Sequence, residues 1–315
     1  MNHVNVLPLA YLVVFSCLAL PGAPMASDNG FDLRGSLVPV EEIHLGGPPR
    51  DGIPAIDSPR FLSAGRAAFL RDDDRVLGLE LDGAAKAYPI RILNWHEIVN
   101  DSIGGERVAI TYCPLCGTGV AFRASTDGRS LTFGVSGLLY NSDVLLYDRE
   151  TESLWSQILK RAVTGPMRGE RLTPLPLTHT SWRAWKKEHP ATLVLSTETG
   201  FDRDYGRDPY GDYANERGLY FPVRAESRRY HPKERVLGLE IDGRFKAYPF
   251  AELARAGKDE IIDELEGRRI TIRFDEENES AKAFDARGDQ LPGIVGFWFA
   301  WYAFHPDTEV YGATR

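Results

Sequence analysis

Hydrophobic and polar positions alternate in short runs over most of the chain. Val76 to Leu81, Val108 to Tyr112, Val120 to Phe122, Leu131 to Val135 and Val144 to Tyr147 read as strands. Asp82-Gly83 and Asp127-Gly128 supply the hairpin turns between them. Between Pro89 and Asn100 the period changes, and Ile92, Leu93, His96 and Val99 fall on one helical face. A second short helix, Trp182 to Glu188, is capped by Thr180 or Ser181 and stopped at Pro190. Phe297 to Phe304 (FWFAWYAF) is too short to cross a bilayer and reads as a buried strand or an interface.

The pattern occurs twice. Arg75 to Pro89 (RVLGLELDGAAKAYP) is repeated at Arg235 to Pro249 (RVLGLEIDGRFKAYP), and Gly105 to Tyr112 matches Gly267 to Phe274. The fold class expected is α+β, predominantly antiparallel β, internally duplicated, with two related β-rich halves packed together. The divisions are a signal peptide at 1–26, an irregular leader at 27–57, a first repeat at 58–157, a connector at 158–218 and a second repeat at 219–315.

Composition bounds the function. The chain has 315 residues, 43% hydrophobic, which is enough to bury a sizeable core. A formal charge of −8 with interleaved signs excludes a nucleic-acid groove. The first 26 residues lack Lys, Arg, Asp and Glu, and the apolar run Val4 to Leu20 ends before small residues. That is the pattern of a secretory signal, so the protein is expected to be exported, periplasmic or extracellular; Cys17 sits in a loose lipobox, which leaves a lipoprotein as the alternative. No span crosses the membrane in the mature chain.

Removal of the signal leaves two cysteines, Cys113 and Cys116, in the run ITYCPLCGTG. On the repeat alignment they meet Asp275 and Asn278, so only one copy carries sulfur. A strand entering Cys-Pro-x-Cys-Gly is the pattern of a metal knuckle, where a tight turn closed by Gly117 faces two thiolates at one point. The remaining ligands must be His or carboxylate, with His96 the first choice and His305 the second, and copper or zinc as the metal. Arg123, Tyr140, Asn141, Asp143 and Arg149 are candidates to line an adjoining polar pocket. Two alternatives stay open. A thiol-disulfide oxidoreductase, or another enzyme using the pair, needs a reactive thiolate at a helix N-terminus, whereas Val120 to Arg123 alternates like a strand. A non-catalytic peptide- or glycan-binding module would hold the pair as a structural disulfide and use Trp182, Trp185, Tyr205, Tyr210 and Tyr213. The partner in these readings is a small molecule or another exported protein.

The runs NWHE (94–97), TYCPLCGTG (111–119), SGLLYNSDVLLYDR (136–149), LWSQ (154–157) and FWFAWYAFHPDTEVY (297–311) resemble the bacterial and archaeal family known as domain of unknown function 3179. The resemblance implies an exported protein with a distinctive Cys-Pro-x-Cys segment. It implies no reaction.

Overall fold

The computed structural model describes residues 28–126 and 128–312. The signal-peptide and lipobox readings and Asp127 of the second proposed turn lie outside the described residues. The described chain is mostly antiparallel β with four short helices. Among the described residues no helix is long and apolar enough to cross a membrane.

A hairpin of β1 (Arg75–Leu81) and β2 (Ala84–Pro89) leads into α1 (Ile90–His96), then β3 (Ile98–Ile103), β4 (Glu106–Cys113) and β5 (Thr118–Arg123). Helix α1 stops sooner than its apolar spacing predicts: Val99 belongs to β3, because Glu97 turns the chain at φ 57°. A second sheet follows, built on β6 (Phe133–Tyr140), β7 (Asp143–Asp148) and β8 (Leu154–Ser156). Then come β9 (Thr178–Ser181), α2 (Trp182–Glu188) and β10 (Leu193–Leu195). Ser181 caps α2, its Oγ accepting from Ala184 N at 3.2 Å.

The same order recurs as β11 (Arg235–Ile241), β12 (Arg244–Pro249), α3 (Phe250–Ala256), β13 (Glu260–Leu265), β14 (Arg268–Asp275), β15 (Ser280–Phe284), β16 (Ile294–Phe297), α4 (Trp298–Phe304) and β17 (Glu309–Val310). The aromatic run near the C-terminus is therefore a helix, not a strand. Eight apolar residues carry no polar alternation, so periodicity does not separate a buried strand from a buried helix.

Pairing registers correspond position by position. Val76 faces Pro89 and Leu81 faces Ala84, as Val236 faces Pro249 and Ile241 faces Arg244. Both hairpins turn through Asp-Gly with φ near +50° and +80°, the left-handed pair that fits strand twist. β9 pairs with β1 as β16 pairs with β11. β10 runs parallel to β2 as β17 runs parallel to β12. Trp185 covers Gly78 and donates Nε1–H to Thr192 Oγ1 at 2.9 Å; Trp301 covers Gly238 and donates to Thr308 Oγ1 at 3.0 Å. Trp185 and Thr192 of this arrangement lie within 158–218, the stretch expected to be a connector.

The two runs share one sheet, ordered β17-β12-β11-β16-β5-β4-β3, which joins where Val295 of β16 pairs with Gly119 of β5. The largest core cluster straddles this seam, with Cys113, Cys116 and Phe122 beside Phe297, Trp298 and Trp301.

An added Cβ at Gly78 or Gly238 would stand 2.3 Å from an indole carbon of Trp185 or Trp301. Both indoles are buried and hydrogen-bonded, so neither moves freely. Gly78→Ala and Gly238→Ala are each expected to destabilise the fold by about 1–3 kcal/mol. Urea unfolding checks this, and unchanged midpoints in both variants would contradict the packing described.

Candidate metal centre

The paired sulfurs sit on a four-residue turn between β4 and β5, with Cys113 facing Thr118 in the ladder. Gly117 takes φ 60°, as the motif demands. Strand β16 clamps the turn from outside: Phe297 N donates to Cys116 O at 2.8 Å. Neither cysteine is in a disulfide. Their thiols point at Ser142 O, Cys116 Sγ at 3.3 Å and Cys113 Sγ at 3.7 Å.

Ser142 belongs to the turn joining β6 and β7. Asn141 (φ 52°) and Ser142 (φ 66°) are both left-handed, which makes a tight two-residue loop and places Asp143 directly after it. Two tethers fix the loop: Asn141 Oδ1 accepts from Arg224 N at 2.7 Å, and Ser142 Oγ donates to Phe221 O at 3.2 Å. The outcome is a three-donor group in which the sulfurs of Cys113 and Cys116 and a carboxylate oxygen of Asp143 lie within 4.8 Å of one another. All three residues are buried. Asp143 Oδ2 accepts from Ile158 N at 3.2 Å, while Oδ1 has no hydrogen-bond partner among the described residues.

Burial disfavours charge here. It pushes the Cys113 thiol up, reinforced by the Asp143 and Glu97 carboxylates, and drives the Cys116 thiol further up beside Cys113 and Asp143. Asp143 is raised to about 7 by burial. Glu97 is raised to about 8 by burial, offset in part by a hydrogen bond from Tyr210. Lys233 is the nearby cation, but its ammonium already donates to Glu216 O at 3.1 Å and Gly218 O at 2.8 Å, and it stands 3.8 Å over the Tyr213 ring. The site thus gathers acidic groups with little to neutralise them. Two soft thiolates and one hard carboxylate suit a thiophilic transition-metal ion, and the unpartnered Asp143 Oδ1 is a lone pair available to it.

Glu97 is a buried carboxyl beside the site that a search among histidines passes over, and its charge bears on Cys113. It follows α1 at φ 57° and ψ −32°, where the corresponding helix α3 ends in Gly257 at φ 59°. A side chain held in that region is strained and persists only where its surroundings impose it. The signal lay in its place beside His96 in the NWHE run. Tyr210 and Tyr213, considered above as a surface aromatic patch, instead belong to a segment without strands or helices, residues 199–234, that covers the site. Trp182 and Trp185 are core.

The other expected ligands are not brought to the sulfurs. His96 is fully buried with both nitrogens engaged, Nδ1 with Pro54 O at 2.7 Å and Nε2 with Tyr205 Oη at 2.6 Å. His305 stacks on Phe245 at 3.8 Å, and neither histidine is in the three-donor group. Of the pocket candidates, Asp143 is a donor and Asn141 anchors its turn. Tyr140 packs edge-on against Phe304, Arg123 pairs with Glu106, and Arg149 pairs with Asp57 at 2.7 Å.

In the second run the equivalent turn has the same register, Asp275 facing Ser280. It is closed by hydrogen bonds: Asn278 N to Asp275 Oδ1 at 3.1 Å and Asn278 Nδ2 to Oδ2 at 2.7 Å. An amide and a carboxylate there satisfy each other, whereas the cysteines leave two sulfurs facing a third donor.

A carboxyl with a raised native value binds a proton that the unfolded chain has released, so stability is lost as pH rises from about 4 towards 7 for Asp143 and towards 8 for Glu97. Asp143→Asn removes one such term. In metal-free protein the variant should gain on the wild type by on the order of 2–4 kcal/mol between about pH 4 and pH 8. Urea unfolding across that range decides, and parallel pH profiles would show that Asp143 is not held protonated.

No curated protein and no solved structure matches the chain. Residues 50–291 match the family model described as "Protein of unknown function (DUF3179)", and the chain belongs to that family.

Proposed function

We propose that this protein binds a transition-metal ion, copper or zinc, through Cys113, Cys116 and Asp143, and that it does so as an exported protein. The observation that carries the reading is the convergence of two thiols and one carboxylate within 4.8 Å, buried, with one carboxylate oxygen unpartnered. Three ionised donors carry a charge of about −3, and a cation is what makes that charge tolerable away from water. Three protein donors also leave a tetrahedral ion one free position, for water or for a small molecule or protein partner. Export is supported by the uncharged, apolar start of the chain.

Thiol-disulfide exchange is the weaker reading. It requires an accessible thiolate of lowered pKa, whereas these thiols are buried, pushed up, and followed by a strand, not a helix.

We further infer that the two runs, β1–β5 with β9-α2-β10 and β11–β17 with their helices, descend from one duplicated unit, with the β6–β8 sheet inserted into the first copy. Matching registers and the repeated Trp–Gly–Thr packing support this.

Metal content of the mature protein, purified without affinity-tag metal, tests the site. About one equivalent of copper or zinc is expected, lost in the Cys113→Ser, Cys116→Ser double variant, with affinity lowered at least tenfold in Asp143→Asn. Equal and negligible metal in all three, or ready reduction of insulin by the wild type, would overturn the reading.

A further inference from the structure

His305, expected as a metal ligand, stands instead at a second cavity. The space measures about 190 Å³, and its walls include Leu37, Ile158, Val163 and Phe245. His305 lines it while only 7% exposed, and Nε2 has no hydrogen-bond partner among the described residues. A buried imidazole nitrogen left without a partner marks a place where a ligand or a water belongs.

The charges around this cavity are unbalanced. Arg161 and Arg171 face each other directly across an antiparallel bridge, and both line the space. Like charges directly opposite in a ladder repel. Glu240 is the carboxylate in the cavity wall, and it is already taken by Lys160 and by Arg171 at 3.3 Å. Arg161 spends its Nε on Gly169 O at 3.0 Å and forms no ion pair among the described residues. Three cations therefore meet one anion beside an apolar chamber.

The corresponding place in the first run lacks these features. Glu80 there faces Ala85, where Glu240 faces Phe245. His189, the equivalent of His305, lies on Trp185 at 3.9 Å near Glu188. Phe245 of the second run and Lys160, Arg161 and Arg171, which follow the inserted sheet, meet at this place, and the first run has no counterpart of that meeting.

We propose that this cavity binds a small monocarboxylate with an aromatic or branched-aliphatic body. Its carboxylate meets Arg161 and Arg171, and its body fills the apolar space against Phe245. An apolar cavity of about 150 Å³ accommodates benzene, so the volume here suits a single ring or a branched chain. Burial holds His305 uncharged, lowered to about 3, so the imidazole offers a neutral hydrogen bond and adds no further charge. The ligand is a separate one from the metal, and the site stands or falls independently of the cysteines.

Calorimetric titration of the mature full chain with sodium benzoate, benzyl alcohol and inorganic phosphate tests the assignment. Benzoate should bind in one-to-one ratio and shift the His305 imidazole resonances; benzyl alcohol and phosphate should bind at least tenfold more weakly. Arg161→Gln alters an exposed side chain and should weaken benzoate at least tenfold while leaving metal content as in the wild type. No heat and no His305 shift with benzoate, phosphate binding as tight as benzoate, or unchanged benzoate affinity in Arg161→Gln would each overturn the proposal.

Discussion

The seam at which two hairpin units merge into one sheet is the constraint that sets the rest of the architecture. Val295 pairs with Gly119, and the approach is so close that a Cβ at Gly296 would stand 2.4 Å from Thr118 across the seam. A side chain at Gly296 would pry the strands apart. With glycine there, Phe297 N reaches Cys116 O, and the cysteine turn is covered by the other unit. The embrace is mutual. Arg75 of the first unit donates to Asn278 O and to Glu279 O, and Ser181 Oγ donates to Asn278 Oδ1 at 2.5 Å, so each unit holds the turn of its twin.

Enclosure has an electrostatic consequence. At an effective dielectric of about 20, two like charges about 4 Å apart repel by roughly 4 kcal/mol, and Asp143 stands within that order of distance from two sulfurs. Without a cation the group stays protonated and the repulsion is avoided, at the cost of carboxyls held near neutral values. With a cation the same closeness becomes attraction. A cluster that destabilises the empty fold and is relieved by one ion resembles a site shaped by binding more than one shaped by folding.

Much of the fold was legible in the sequence because its signals are local. Alternating runs gave most of the strands, Asp82-Gly83 gave a turn, and the Cys-Pro-x-Cys-Gly spacing gave both sulfurs and the left-handed Gly117. Asp143 was within reach as a polar residue downstream, but its role depends on the Asn141-Ser142 turn bringing β7 back to the sulfurs, which no spacing rule encodes. His96 and Glu97 show the limit most sharply. Helical periodicity placed His96 on the inner face, correctly as to burial, yet its nitrogens are consumed by Pro54 and Tyr205. The group whose charge bears on Cys113 is its neighbour Glu97, at a positive φ that a sequence pattern would assign to glycine. The aromatic run at α4 failed for a different reason: its burial was plain, but its period was not.

The two units differ where the seam leaves them free. Residues that build the two hairpins are alike in type: Gly78 and Gly238 under their indoles, Pro89 and Pro249 before their helices, and the Asp-Gly turns. Differences fall on side chains that project from a turn or from the far end of a hairpin, Cys113 against Asp275, Cys116 against Asn278 and Ala85 against Phe245. Such positions can change chemistry without moving backbone, because strand register and the Trp–Gly contacts fix the frame independently. Glu97 is the exception among these positions, since it stands where the other unit ends its helix in Gly257 and adopts the same left-handed φ despite carrying a side chain, a strain that only its surroundings can impose.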